Sequence, residues 1–293
     1  MSQWLLLACM LALPAQAVAE RHVFIINSAG NQHHKLLVDN ILENLKKHNI
    51  NAETFEIENT ININSHNDLI VSIGHKATSF IDNKKLPNPK LRVFTDSNPH
   101  IDPENKSEPH LSMTQSACQQ FALARVLSPE WKKISVLFST TNIHVTRNLS
   151  SCAKKYKLKL NPIIVDKYIN IIDALNTALS DSDILLALPD LNIYNTKTIK
   201  SILLTTYRHR VPIIGFSENF VRAGALVAMH SSTEQLGKQI TELIQQHFNN
   251  KNIDKHLYPS YFDVITNRNV AKSLNINIPD GKVLKEKLQR KNE

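Results

Sequence analysis

The sequence is poor in glycine and cysteine, with six glycines and three cysteines among 293 residues. No two cysteines form a Cys-x-x-Cys pair, which disfavours a thiol redox enzyme. The sequence also contains no Gly-x-Ser-x-Gly elbow, no Walker loop and no Gly-x-Gly-x-x-Gly turn, the motifs of many hydrolases and nucleotide-binding domains. We therefore predict a protein that is not an enzyme and that needs no cofactor. Because glycines are so few, Gly215 and Gly224 are expected to mark tight turns or close backbone approaches.

The sequence lacks a basic cluster, although its net charge is +8. Its lysines are scattered, and no basic run carries interleaved aromatic residues, so we expect no nucleic-acid partner. The thirteen histidines are also dispersed. No His-x3-His or His-Glu-x-x-His spacing occurs, and we expect no metal site.

Long apolar runs are absent except near the start of the chain. Residues 4–13 are apolar and are followed by the small residues Ala17-Val18-Ala19. This pattern is typical of a signal peptide, here residues 1–19, cleaved near Ala19 to release a soluble periplasmic protein. An alternative is a lipoprotein cleavage box that ends at Cys9. No later run approaches the roughly 20 apolar residues that span a bilayer, so we do not expect an integral membrane protein.

Two cysteines remain after that cleavage. Cys118 and Cys152 lie on two predicted helices that flank the predicted strand at residues 134–138. They could therefore share one face of a sheet and form a disulfide in an oxidising compartment. The alternative is two buried thiols.

Strand and helix patterns alternate along the chain. Residues 183–188 form a continuous apolar run, as in a strand covered on both faces in a parallel sheet. Residues 196–207 have helical spacing, and residues 211–216 form the next apolar run. A helix between two such strands lets the chain cross over and return parallel.

The same pattern occurs in two series, separated by a connector at residues 96–110. The first series has predicted strands at 22–26, 52–57, 68–73 and 92–95, and helices at 34–47 and from Gly74. The second has helices at 114–127, 143–155, 171–179 and 233–248, with strands at 134–138, 162–165, 183–188 and 211–216. We predict an α/β protein of two similar Rossmann-like parallel-sheet domains with a hinge. Their predicted bounds are 20–112 plus 231–256, and 113–230 plus 257–293.

Five blocks in the second half of the chain share the pattern of one protein family. They are Pro189-Asp190, residues 211–215, residues 221–226 (Val-x-Ala-Gly-Ala-Leu), Gln235-Leu236-Gly237 and residues 267–279. Together they resemble the substrate-binding proteins of ABC importers of the tryptophan/tyrosine type, which have the type I periplasmic-binding fold. The chain departs from the family pattern at His230 and Ser232, where the family usually has Gly and Asp, and at Asn275.

The resemblance implies a monomer that captures a small polar or amino-acid-like ligand in a cleft between the domains. The implied partner is the membrane permease of an ABC importer. A periplasmic sensor that feeds a signalling receptor is an alternative with the same fold. A periplasmic hydrolase that uses the same cleft is an alternative from another class.

Ligands of open α/β sheets bind at the carboxyl ends of the strands, and this rule selects the candidate residues of the first domain. The residues are Asn27, Ser28, Gly74, His75, Ala77 and Thr78. The last four open a helix, whose free N–H groups could hold a ligand carboxylate. Ordinary helix-start chemistry and an ordinary turn after the first strand are the alternatives.

The same rule selects six polar residues of the second domain as ligand-binding candidates. They are Ser139, Thr140, Asn142, Asp190, Ser217 and Glu218. Asp190 could accept from a ligand ammonium or could cap the helix that follows it. Three aromatic residues, Phe94, Tyr194 and Phe216, could form an apolar wall of the cleft or belong to the core.

Overall fold

The computed structural model describes residues 22–28, 30, 32–57, 68–94, 108–141 and 149–290. The predicted signal peptide, Asn142 and residues 96–107 of the connector therefore lie outside the described residues. None of the described helices is both long enough and apolar enough to cross a membrane.

Twelve strands are described, and they form two sheets of six. In chain order they are β1 (His22–Asn27), β2 (Asn51–Glu56), β3 (Leu69–Ile73), β4 (Lys90–Phe94), β5 (His110–Ser112), β6 (Lys133–Phe138), β7 (Lys159–Ile164), β8 (Ile184–Ala187), β9 (Ile213–Gly215), β10 (Val227–His230), β11 (His256–Leu257) and β12 (Asp263–Thr266). The first sheet has the order β11-β5-β4-β3-β1-β2, and the second has the order β12-β10-β9-β8-β6-β7.

Ten α-helices are described on the faces of these sheets. They are α1 (Gln32–Lys47), α2 (His75–Lys84), α3 (Ala117–Leu127), α4 (Leu149–Lys155), α5 (Ile171–Leu179), α6 (Ile199–Arg208), α7 (Glu218–Ala223), α8 (Thr233–Phe248), α9 (Arg268–Ser273) and α10 (Gly281–Gln289). All strand pairs are parallel except β10 with β12. This confirms the prediction of two parallel-sheet α/β units.

Apolar residues are buried on both faces of each sheet, as a helix-covered parallel sheet requires. In β6, Val136 packs into one apolar cluster, whereas its neighbour Leu137 packs into the cluster on the other face. In β1, Ile25 and Ile26 divide between two clusters in the same way. The continuous apolar runs in the sequence arise from this burial on both sides.

Helix α8 returns from the second sheet to pack on the first unit. Its start is defined by a capping box, in which the Ser232 hydroxyl accepts from the N–H of Gln235 and the Gln235 side chain accepts from the N–H of Ser232. Its buried residues Leu236 and Ile240 belong to the same cluster as Ile41 of α1. The predicted helix at residues 233–248 is confirmed with these bounds.

Other element predictions differ from the structure at their ends. Strands β5 and β11 were not predicted, since they have only three and two residues and pair with each other at the edge of the first sheet. Helix α3 begins at Ala117 instead of residue 114, because Ser116 and Gln119 form a capping box there. Asn170 caps α5, accepting from the N–H groups of Ile172 and Asp173.

The two glycines singled out from the sequence have the predicted roles. Gly224 ends α7 with a φ of 131°. A Cβ at Gly215 would lie 2.6 Å from the Cδ1 atom of Phe220, so this ring packs directly on the backbone.

Cys118 on α3 and Cys152 on α4 are joined as a disulfide with Cα atoms 5.0 Å apart. Both residues belong to the apolar cluster that also contains Leu284 and Leu288 of α10. The C-terminal helices, which follow the last strand, therefore complete the core of the second unit.

The chain passes between the two units three times, between β5 and α3, between β10 and α8, and between β11 and β12. One hydroxyl connects all three passages. Ser231 Oγ accepts a hydrogen bond from Gln115 Nε2 at 3.1 Å and donates to the carbonyl of Tyr261 at 2.6 Å. The domain bounds stated above stay a prediction.

Candidate ligand-binding cleft

A cavity of about 800 Å³ lies between the two units. Its lining from the first unit and the passages comprises His33, His34, Leu36, His75, Met113, Thr114, Ser231, Ser232, Thr233 and Glu234. Its lining from the second unit comprises Thr141, Pro189, Asp190, Leu191, Asn192, Tyr194, Phe216, Ser217, Glu218, Asn219 and His230. A cavity of this size can enclose a small organic molecule and contact it from both sides.

Asp190 is the best-buried carboxylate in this wall, with an exposed fraction of 2%. Its Oδ2 accepts from the N–H and the hydroxyl of Ser139, both at 2.8 Å. Its Oδ1 accepts from the N–H of Asn192 at 3.0 Å. These bonds join the segment that follows β6 to the segment that follows β8. Thr198, not Asp190, is the N-cap residue of α6. Asp190 instead caps the turn that directly follows it, since its carbonyl accepts from the N–H groups of Ile193 and Tyr194.

Aromatic residues form the apolar part of the same wall. Tyr194 and Phe216 line the cavity, and both rings pack edge-on or tilted against Phe220. Phe94 instead belongs to the interior of the first unit, stacked on His110 with ring centroids 3.9 Å apart. Burial, followed by the nearby Asp190 charge, raises the pKa of Tyr194 far above its usual value, so the phenol is neutral.

Ser217 and Glu218 lie at the start of α7, where β9 ends. The Ser217 hydroxyl accepts from the N–H of Phe220 and so caps the helix. Glu218 faces the cavity and forms an ion pair with Arg222, one turn further along. His230 ends the neighbouring strand β10 on the same side of the cavity. Burial lowers its pKa despite the opposing charges of Glu218 and Asp263. His230 is therefore neutral near pH 7.

The first unit contributes histidines to the opposite wall. Gly74 caps α2 with a φ of 85°, and a Cβ there would lie 2.4 Å from the Cε1 atom of His34. The imidazole of His34 thus rests directly on the start of α2. Burial, and then the neighbouring His33, lower the pKa of His34, so this ring is also neutral near pH 7.

Four of the twelve predicted ligand-binding residues line the cavity, namely His75, Asp190, Ser217 and Glu218. Ser139 does not line the cavity, but it donates two hydrogen bonds to Asp190, which does. Gly74 lies beneath His34. Asn142 lies outside the described residues.

The other candidates face elsewhere. Ala77 is buried in an apolar cluster, and the Thr78 hydroxyl bonds within the unit to Ser72 Oγ and to the carbonyl of Gly74, each at 3.0 Å. Thr140 is exposed and donates its N–H to Asp166. Asn27 and Ser28 line a separate cavity of about 450 Å³ beside α1 and β2.

Sequence reasoning selected His75 of the first wall but missed His33 and His34. These two follow β1 at the beginning of α1, so the same strand-end rule that selected Asn27 could have extended to them. Within the described part of the chain, no group of three or more His, Cys, Asp or Glu residues is placed to hold a metal ion.

A family model described as ABC transporter substrate binding protein matches residues 111–291, which is more than half of the chain. The match covers the second unit, α8 and both C-terminal helices. Proteins of this kind bind solutes, generally have no enzymatic activity and are typically extracellular or periplasmic. No curated protein sequence matches the chain.

Solved structures resemble the whole molecule. An ABC domain from Streptococcus pneumoniae, in complex with L-Trp, has a TM-score of 0.61 and 16% identity over 92% of this chain and 98% of that one. A conserved domain protein from Vibrio cholerae has a TM-score of 0.60 and 18% identity over 91% of this chain and 98% of that one.

A third structure is a ligand-free, open substrate-binding protein with adhesive properties from Clostridium difficile. Its TM-score is 0.63, with 14% identity over 88% of this chain and 96% of that one. At such low identity these likenesses concern the fold alone. They show that the two units adopt a type I periplasmic-binding-protein-like arrangement.

Proposed function

The chain belongs to the ABC transporter substrate binding protein family, and on that premise we propose that it captures a small polar or amino-acid-like ligand in the interdomain cleft for an ABC importer. The observation that carries this proposal is the cavity of about 800 Å³ lined from both units. A ligand that contacts both walls favours the closed form over the open form, so binding shifts the population between them.

The proposal includes export to the periplasm, with cleavage of residues 1–19 near Ala19. The disulfide between Cys118 and Cys152 supports an oxidising compartment, since cytosolic thiols are kept reduced. Expression of the full chain in a bacterium, followed by periplasmic extraction and N-terminal sequencing, tests this part. A first residue near Glu20 is expected, whereas a lipid-modified Cys9 would show a lipoprotein instead.

Binding is tested on the purified mature protein with a broad thermal-shift screen of amino acids, amines, peptides, sugars, nucleosides and organic acids. A ligand that binds only the folded state at a hundred times its Kd stabilises that state by about 2.7 kcal/mol, which raises the melting temperature measurably. Small-angle scattering with the best compound should then show a smaller radius of gyration. A screen without any stabilising compound would contradict the proposed function.

The membrane partner is tested by gene neighbourhood and by co-purification. Permease and ATPase genes beside this gene, and retention of the loaded protein by that permease in nanodiscs, are expected for an importer. A neighbouring kinase or cyclase gene, with no permease, would favour the sensor role.

A further inference from the structure

We infer that the ligand of the cleft is a small organic cation, a protonated amine with an apolar or aromatic face and no free carboxylate. The inference rests on the proposed function and names the chemical class of the ligand. Three observations carry it: the charge of the lining, the unmet bonding capacity of Asp190 and Tyr194, and the neutral His34 ring at the start of α2.

The lining of the cleft is acidic, although the chain has a net charge of +8. Asp190, Glu218 and Glu234 line it, and the described lining contains no lysine or arginine. A hydrogen bond from Ser232 lowers the pKa of Glu234, which is therefore ionised at neutral pH. Arg222 pairs with Glu218 from the exposed side of α7, and exposed pairs of this kind are weak. The field in the cleft therefore favours a positive ligand.

Asp190 has bonding capacity left for a ligand. The two hydrogen bonds from Ser139 to Asp190 both go to Asp190 Oδ2. Asp190 Oδ1 accepts only from the N–H of Asn192. All three donors are neutral, and no described cation pairs with this buried carboxylate. A buried charge is costly unless it is paired. A ligand ammonium at Oδ1 provides the missing positive charge.

Tyr194 offers a second acceptor beside it. Its exposed fraction is 5%, and its hydroxyl has no hydrogen-bond partner within the described part of the chain. Buried hydroxyls normally have a partner, so this one points to a group that the ligand supplies. The N–H of Tyr194 donates to the Asp190 carbonyl at 2.7 Å, so the two residues stand on one turn of the same wall. A neutral phenol oxygen can accept from an ammonium group, as a carboxylate can.

The predicted site of a ligand carboxylate has a neutral ring beside it. That site is the start of α2, where the His34 ring lies against Gly74. His34 and His230 are neutral near pH 7, because burial lowers the pKa of each. Neither of these two imidazoles therefore offers a carboxylate a full positive charge.

Apolar side chains accompany the acidic groups. Leu191 is 80% exposed and Leu36 is 49% exposed, and both line the cavity from opposite units. Phe216, Met113 and Pro189 add further apolar surface to the lining. The apolar face of the ligand covers these side chains when the cleft closes.

The test uses three probes that share one ring and differ in charge: 2-phenylethylamine, L-phenylalanine and 3-phenylpropionate. Each is titrated calorimetrically into the mature protein at pH 7.5, beside the broad screen described above. We expect 2-phenylethylamine to bind at least about tenfold more tightly than phenylalanine, and 3-phenylpropionate not to bind. The reason is that the acidic lining attracts the ammonium group and repels a carboxylate.

Two variants remove the negative charges one at a time. Asp190→Asn and Glu218→Gln should each weaken binding of the best amine by about tenfold or more. Glu130→Gln makes the same chemical change in an exposed turn before β6, at the far end of that strand, and should leave binding unchanged. If Asp190→Asn fails to fold, as judged by circular dichroism, Glu218→Gln decides, since its side chain is exposed enough to be replaced safely.

The outcomes separate the inference from the proposed function. Cationic compounds that bind the wild type and bind the two variants more weakly support both the inference and the proposed function. Hits that are zwitterions, anions or neutral molecules, from the three probes or from the screen, overturn the inference and leave the binding function standing. A protein that binds nothing in the screen contradicts both.

Discussion

At Gly74 a Cβ would meet the tip of the His34 ring, which would have to move, and the residue has a φ of 85° that favours glycine. Gly74→Ala should destabilise the fold by about 2–4 kcal/mol, through a strained positive φ and a displaced ring. Gly30→Ala is the matched control, since Gly30 has a φ of 81° but nothing within 4 Å. That variant should cost about 1 kcal/mol, from backbone strain alone. Urea unfolding measures both, and equal losses would contradict the close packing of His34 on α2.

His34 also predicts a dependence of stability on pH. Its pKa in the folded protein is lowered from 6.5 by burial, so the unfolded chain takes up a proton first as the pH falls. Stability is fully present above pH 6.5, decreases as the pH falls from 6.5 to the lowered pKa, and is level below it. Urea unfolding of wild type and His34→Gln at pH 7.5 and pH 5.5 should show a smaller acid loss in the variant. The same acid loss in both proteins would contradict the assignment.

Single residues also show where the sequence predicted the site well and where it did not. Asp190, Ser217 and Glu218 follow buried strands directly, and strand ends of parallel sheets meet at one edge, so their position could be inferred. Thr78 also follows a strand, yet its hydroxyl turns inward to Ser72. The direction of a side chain after a strand depends on the local helix start, which the sequence pattern does not contain.

Between elements, the disulfide ties α3 to α4 across the core of the second unit. Cys118 and Cys152 are 34 residues apart in sequence. For a loop of this length, chain-entropy arguments predict a stabilisation of about 3–4 kcal/mol. The double variant Cys118→Ser, Cys152→Ser should lose about that much in urea unfolding, and a reductant should destabilise the wild type but not the variant. Two free thiols in the denatured, non-reduced protein would rule out the bond.

The elements were predictable where the chain supplies its own signal. Continuous apolar runs such as β8 and the capped, amphipathic α8 depend on local pattern and were found. Strands β5 and β11 depend on each other and on β4 for their hydrogen bonds. Short strands of that kind are defined by tertiary pairing, so a local reading of the sequence takes them for loop.

In the whole molecule, Ser231 is the point where the three passages between the units meet. Ser231→Ala removes its bonds to Gln115 and Tyr261, and it should destabilise the protein by about 1–2 kcal/mol. Because those bonds connect the passages, the variant should also change the radius of gyration of the ligand-free protein in small-angle scattering. Ser201→Ala, on the exposed face of α6, is the control and should stay within about 0.5 kcal/mol of wild type. A Ser231→Ala protein with unchanged scattering would show that the hydroxyl has no part in the relative position of the units.

The shared hydroxyl also limits the kinds of movement open to the protein. Three independent tethers allow two bodies to twist, slide and tilt against each other in separate ways. Tethers that are tied at one point oppose sliding and leave rotations about that point, and one of these rotations opens and closes the cleft. A pair of dyes on the two rims would then report that opening through one distance, which makes the molecule a suitable frame for an optical sensor.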